Sequence, residues 1–279
     1  MKTKKMILSI ILSILILIVS QILAQIIASL LFVINIPEFI CNMLNGILYV
    51  VIAFCFIKLL CEKFIKEDMS NYCIPKFQIE VKWIVVAIVL PMLVTICYLL
   101  FNGSFEENVM DLNAKLSLVS AGIFATGFGA GIVEEIVFRG IIMNAVEKRF
   151  HKKAAIIAPS LLFGFVHIIG MNFNLLSCVL VIIAGTMVGI MFSLIASETK
   201  SIWNSAIVHA VWNIIIIGGI LNIGTAFDEY SLYSYILETN SFVITGGEFG
   251  IESSVIAVMG YCLVSLFVVL TERKKNALY

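Results

Sequence analysis

Three charged side chains lie inside one apolar segment: Glu134, Glu135 and Arg139, in the string EEIVFRG. A charged group near the centre of a bilayer costs about 2.5 to 3.5 kcal/mol on insertion scales, so each needs a partner or a task. Glu135 and Arg139 are four residues apart, on one helical face and in the favourable acid-before-base order, and can neutralise each other. Glu134 is turned about 100° from that face by the helical period. It lacks that partner and is free to act as a base. Two more apolar segments carry Phe163 with His167, and His209 with Asn213. Each pair is spaced to place both side chains on one side of a helix. The third histidine, His151, stands beside Lys152 and Lys153 and reads as a solvated loop residue. A lone histidine or asparagine in such a segment is as well explained by a hydrogen bond between helices. The joint pattern, with an unpaired glutamate beside both histidines, points to a site.

Glu134, His167 and His209 together are also a two-histidine, one-carboxylate set suited to zinc, which would lower the pKa of bound water to about 7. No HExxH string is present, so the usual arrangement of zinc proteases on a single helix does not apply. The seven cysteines show no CxxC pairing and read as small apolar packing residues.

The elements that must position these groups are membrane helices. The chain has 279 residues, 61% of them hydrophobic and 13% charged, with a mean hydropathy of +1.10. Soluble domains carry roughly twice that share of charge. Apolar runs approaching the ~20 residues needed to cross a bilayer recur along the whole chain. The expected fold is therefore all-α, a polytopic transmembrane helix bundle of about eight spans in a single integral domain over 1–279. The expected spans are 6–34, 39–60, 83–101, 116–146, 154–169, 175–196, 202–221 and 253–270. A formal net charge of zero and the lack of a basic face argue against nucleic acid as a partner.

Short cytoplasmic loops are rich in Lys and Arg. With the N-terminus inside, Lys2, Lys4, Lys5, Lys63, Lys66, Lys76, Lys82, Lys148, Arg149, Lys152, Lys153, Lys200, Arg273, Lys274 and Lys275 all fall on the cytoplasmic side. The opposite side receives Lys115 and the acidic residues Glu106, Glu107, Asp111, Asp228, Glu229, Glu238, Glu248 and Glu252. Both termini are thus expected to be cytoplasmic, in the cytoplasmic membrane of a prokaryote. Counting ~1.5 Å per residue from the cytoplasmic helix ends puts Glu134 and His167 about 20 Å deep, and His209 and Asn213 roughly 10 to 17 Å deep. All four are expected to meet in a water-accessible cavity below the cytoplasmic surface. Gly127 with Gly131, and Gly185 with Gly189, make two GxxxG spacings that let helices approach closely in lipid.

The ordered series EExxxR, FxxxH and HxxxN, on three separate apolar segments, resembles the motif set of the CAAX protease and bacteriocin-processing family of intramembrane endopeptidases. The resemblance covers 116–221, the expected catalytic core. It implies that Glu134 activates water with the help of His167. It implies also that His209 and Asn213 donate hydrogen bonds to the oxyanion, with Glu135, Arg139 and Phe163 in support. In that favoured mechanism no cofactor is required, zinc on Glu134, His167 and His209 being the alternative. The implied partners are membrane lipid and a peptide or protein substrate, lipidated or a secreted-peptide precursor, with a role in bacteriocin processing or self-immunity. Two other readings compete: a proton-coupled transporter using the same buried groups as a relay, and a catalytically silent immunity or scaffold protein. The absence of an evident internal repeat weighs against the transporter.

Overall fold

In hydrocarbon every backbone N–H and C=O must be satisfied within the chain, so long apolar segments become helices. A computed structural model describes residues 1–171 and 174–277, with side chains through Arg273. The helices are α1 (Thr3–Val33), α2 (Glu38–Ile65), α3 (Val81–Leu99), α4 (Leu112–Glu147), α5 (Lys152–Val166), α6 (Leu175–Thr199), α7 (Ile202–Ile217), α8 (Phe242–Thr245) and α9 (Val255–Ala277). The protein is an all-α, integral, multi-pass membrane bundle.

About eight spans were expected. Among the described residues six helices are long and apolar enough to cross a membrane: α1, α2, α3, α4, α6 and α9. The fifth and seventh expected spans are shorter. α5 has 15 residues, which at ~1.5 Å per residue falls short of a ~30 Å core, and α7 is similarly brief. Both stop inside the bundle: His167 caps the end of α5, and Asn213 opens a final wide π turn of α7. The polar residues therefore sit where helices end.

The alternation of basic and acidic loops is reproduced in three dimensions. At one end the Met1 ammonium donates to the Lys148 carbonyl at 3.0 Å, Lys5 to the Ile65 carbonyl at 2.7 Å and Arg149 to the Thr3 hydroxyl at 2.9 Å. Lys148 also pairs with Glu67, and Lys152 with Glu272. The other end carries the acidic loops, and these are ordered. Strands β1 (Gly103–Glu107), β2 (Leu221–Gly224) and β3 (Tyr233–Leu237) form a small sheet in the order β1-β3-β2. β1 is antiparallel to β3 and β2 parallel to it. Asn108 clips the sheet to the following loop by donating to the carbonyls of Glu229 and Ser231. This sheet lay outside the helix-only expectation. His151, expected to be a solvated loop residue, has a local task as well, since its ring accepts the Ala154 N–H at 3.1 Å and caps α5.

The GxxxG glycines lie at close helix crossings. A Cβ on Gly131 would stand 2.9 Å from the Ala210 backbone, and one on Gly185 would stand 2.8 Å from the Gly164 Cα. Gly131 thus sets α4 against α7, and Gly185 sets α6 against α5. Gly131→Val is expected to push α4 off α7 and to cost about 1 to 3 kcal/mol, as overpacking does elsewhere. Thermal unfolding in detergent reads this as a lowered midpoint. An unchanged midpoint would show that the crossing is slack.

Candidate active site

α4 is not a uniform helix. Wide π turns run over Ala121–Ala130 and Ile136–Ile142, with a short α-helical stretch, Gly131–Glu135, between them. Both glutamates lie at the end of that stretch. Such π segments are frequent at functional sites, because they re-aim side chains and loosen the regular pairing of main-chain groups.

The predicted ion pair is present: Arg139 Nη1 donates to Glu135 Oε1 at 2.8 Å, with the two side chains 1% and 0% exposed. Arg139 also donates to the Gly189 carbonyl of α6 at 3.1 Å. Its guanidinium lies 4.6 Å from the Phe163 ring centre and 5.1 Å from that of Phe192. Glu135 does more than neutralise Arg139, because the same Oε1 receives His209 Nδ1 at 3.1 Å. Phe163 lies between the groups, with its ring 4.4 Å from the His167 ring and 6.1 Å from that of His209. Glu135 and Phe163 thus contact the histidines, Glu135 touching His209 and Phe163 lying against both rings.

Glu134 points elsewhere, as the helical period requires. Its carboxylate is 3.8 Å from His209 Nε2, and its side chain is 23% exposed, against 0% for Glu135. That exposure is to a cavity of about 160 Å³, lined by Glu134, His167, His209 and Asn213 together with Phe163. The four residues singled out for chemistry therefore share one space. His167 Nδ1 lies 2.7 Å from the Phe163 carbonyl. A carbonyl only accepts, so Nδ1 carries a proton, and in the neutral ring Nε2 holds the lone pair. By the same logic His209 donates its Nδ1–H to the Glu135 carboxylate. Asn213 donates one amide hydrogen to the Thr126 carbonyl at 2.9 Å and retains a second.

The access expected from the basic, cytoplasmic end is corrected. Between Glu134 and that end, residues 135 to 146 of α4 are all buried, in a core that includes Ile136, Phe138, Ile141 and Met143. The cavity adjoins the opposite end instead. Thr126 and Ile217 also line a cleft reaching Glu38, Asn42 and Glu229. Phe249 and Glu252 also line a second cavity containing Asn222 and Asp228. Helix-end counting gave depth but not which side the neighbours leave open.

The wall residues that had not been expected include Trp212, Phe249, Glu252 and Tyr261. Phe249 sets its ring 5.9 Å from that of His167. Glu252 had been counted among the outer loop charges, yet it lines the same cavity as Glu134. Enclosure pushes its carboxyl up to about 8, the Glu134 charge adds to the rise, and a hydrogen bond with Trp212 opposes it. The only local sign was a glycine-rich turn, GGEFGIESS, placed directly before an apolar helix.

The zinc alternative can be tested on the donor set. Among the described residues no three or more His, Cys, Asp or Glu side chains are grouped so as to hold a metal ion. Glu134, His167 and His209 line one cavity without forming such a group. As arranged they do not make a ligand set, and no step below is routed through an ion.

A membrane bundle with a carboxylate, two histidines and an amide around a buried cavity has the composition of an intramembrane hydrolase. Residues 116–215 match the family model described as type II CAAX prenyl endopeptidase Rce1-like. Over that stretch the chain is similar to the CAAX-type intramembrane proteases, the family to which its three motifs point. No curated protein matches it. The match contains Glu134, His167, His209 and Asn213, and it ends before Phe249, Glu252 and Tyr261.

Proposed function

We propose that the chain hydrolyses peptide bonds of membrane-associated proteins or peptides, with Glu134 and His167 activating water and His209 and Asn213 stabilising the oxyanion. The observation that carries this reading is the convergence of all four side chains on one cavity. A water between the Glu134 carboxylate and the unprotonated Nε2 of His167 would give up a proton as it attacks the carbonyl carbon. The spare amide hydrogen of Asn213 is available to the oxygen that becomes negative. Donation from His209 Nε2 requires the doubly protonated ring, which has one carboxylate at 3.1 Å and another at 3.8 Å. Hydrogen bonds already aimed at developing charge need no reorganisation during the reaction, which is what makes them effective.

The substrate class we propose is a membrane-anchored peptide, either the tail of a lipidated protein or the precursor of a secreted peptide. Two reporters of these kinds, offered to the protein in liposomes, tell them apart. The wild-type chain is expected to cleave one of them. Asn213→Ala is expected to lower kcat by roughly 10²- to 10³-fold, the range seen when one oxyanion donor is removed. Failure of the wild-type chain to cleave either reporter would count against proteolysis. Full activity of Asn213→Ala would remove Asn213 from the machinery.

A further inference from the structure

The proposed chemistry leaves one proton unassigned. A peptide nitrogen is a poor leaving group unless it is protonated as the C–N bond breaks, and no residue has yet been given that task. Glu252 is a carboxyl on the cavity wall facing the water-activating glutamate. It comes from the segment between α8 and α9, outside the stretch that matches the protease family.

The segment is held so that this side chain cannot easily turn away. The Ser253 hydroxyl donates to the Gly246 carbonyl at 2.6 Å and to that of Gly250 at 3.1 Å. The Tyr261 hydroxyl of α9 donates to the backbone carbonyl of Glu252 at 3.0 Å. Gly250, at φ +81°, allows the reversal that brings Phe249 against His167 and Glu252 into the cavity. Glu252 also lines the second cavity, of about 230 Å³, which contains Asp228, Asn222 and Ser231. The same carboxyl therefore borders both the reaction space and a polar space at the acidic end.

We propose that Glu252 donates the proton to the leaving amine and exchanges protons with the acidic end of the bundle through the second cavity. The inference rests on the proteolytic reading above. In the first step Glu134 takes a proton from water as the oxygen bonds to the carbonyl carbon, giving a tetrahedral oxyanion. In the second the C–N bond breaks, the oxyanion re-forms a C=O, and the nitrogen takes the Glu252 proton. The products are a carboxylic acid and an amine. The proton held by Glu134 then returns to Glu252, and both groups are reset.

The titratable groups lining the two cavities with Glu252 are Glu134 from α4, His167 from α5, His209 from α7, Tyr261 from α9, and Asp228 and Tyr230 from the loop. α6 lines the same cavity only with uncharged residues such as Val181, Gly185 and Phe192. The raised pKa of Glu252 means that its acid form is present at neutral pH.

Proton donation to a leaving group has a kinetic signature. With a peptide amide, Glu252→Gln is expected to lower kcat by roughly 10²-fold with KM little changed, and to abolish the alkaline fall of the pH–rate profile. With a peptide ester carrying a nitrophenolate leaving group, which departs without a proton, the same variant is expected to stay within a few-fold of wild type. Glu134→Gln should lose both reactions, and Glu252→Asp should recover part of the amide rate. Equal losses of amide and ester hydrolysis by Glu252→Gln, no loss of either, or a rise in KM alone would overturn the proposal. Infrared spectroscopy gives a reading that does not need activity. A protonated-carboxyl band at neutral pH should be present in the wild type and in Glu134→Gln, and absent in Glu252→Gln and Glu252→Ala. A band that persists in both Glu252 variants overturns the assignment. Loss of the band in a chain that cleaves nothing leaves a protonated Glu252 without a protease and sinks both readings.

Discussion

Glu134→Gln is expected to lower peptide cleavage by roughly 10²- to 10⁴-fold, the range for loss of a general base, while leaving thermal stability within about 0.5 kcal/mol of wild type. The amide has the size and hydrogen-bonding reach of the carboxylate but cannot accept the proton of the attacking water. The side chain is partly exposed to the cavity, and its recorded contact with a titratable group, His209 Nε2, is at 3.8 Å. Little of the packing depends on it. Turnover of a membrane-anchored reporter, measured beside a melting curve on the same preparation, separates chemistry from folding. Unchanged turnover would sink the assignment of Glu134 as the base.

The neighbouring glutamate should behave in the opposite way. Glu135→Leu leaves Arg139 buried at 1% exposure without its counter-charge, a situation that costs about 3 to 5 kcal/mol where it has been measured. The same change frees His209 Nδ1, so activity and stability fall together. Combining it with Arg139→Leu removes the unpaired charge. Replacing both members of a buried pair by apolar residues is often neutral or stabilising, so the double variant is expected to recover most of the lost stability. It should not recover cleavage, because His209 still lacks the acceptor that orients it and Phe163 lacks the guanidinium beneath its ring. Melting midpoints and turnover of the two variants check this. A double variant that is both stable and active would show that the ion pair serves the fold alone.

The motif residues were legible because each is an anomaly in its own segment. Charges and imidazoles in apolar runs are expensive, and four-residue spacing fixes which of them share a helical face. The Glu135–Arg139 pair and the separate direction of Glu134 follow from the helical period alone. The GxxxG spacings likewise foretold where α4 meets α7 and where α6 meets α5. The span count was harder, because an apolar run does not reveal whether its helix crosses the bilayer or ends within it. α5 and α7 are apolar enough to be read as spans, yet both stop at the site.

Glu252 was beyond reach for a different reason. In sequence it is one of several carboxylates between α7 and α9, and nothing local separates it from Glu248 or Glu238. Its placement depends on the turn at Gly250, the Ser253 and Tyr261 hydrogen bonds, and the Phe249 ring packed on His167. Those partners come from α5, α9 and the segment itself.

By itself the sequence determined the solvent of this protein, the alternation of its basic and acidic ends, and the identity of the four polar residues at its centre. These are matters of residue type and short-range period, which hydrophobicity and helical geometry settle one segment at a time. The tertiary structure alone decided that the two histidine-bearing helices end at the cavity, that Glu135 orients His209 as well as pairing with Arg139, and that the cavity adjoins the acidic end. Each of these depends on which faces of distant segments are pressed together. Close packing, unlike helical period, is a property of the whole bundle.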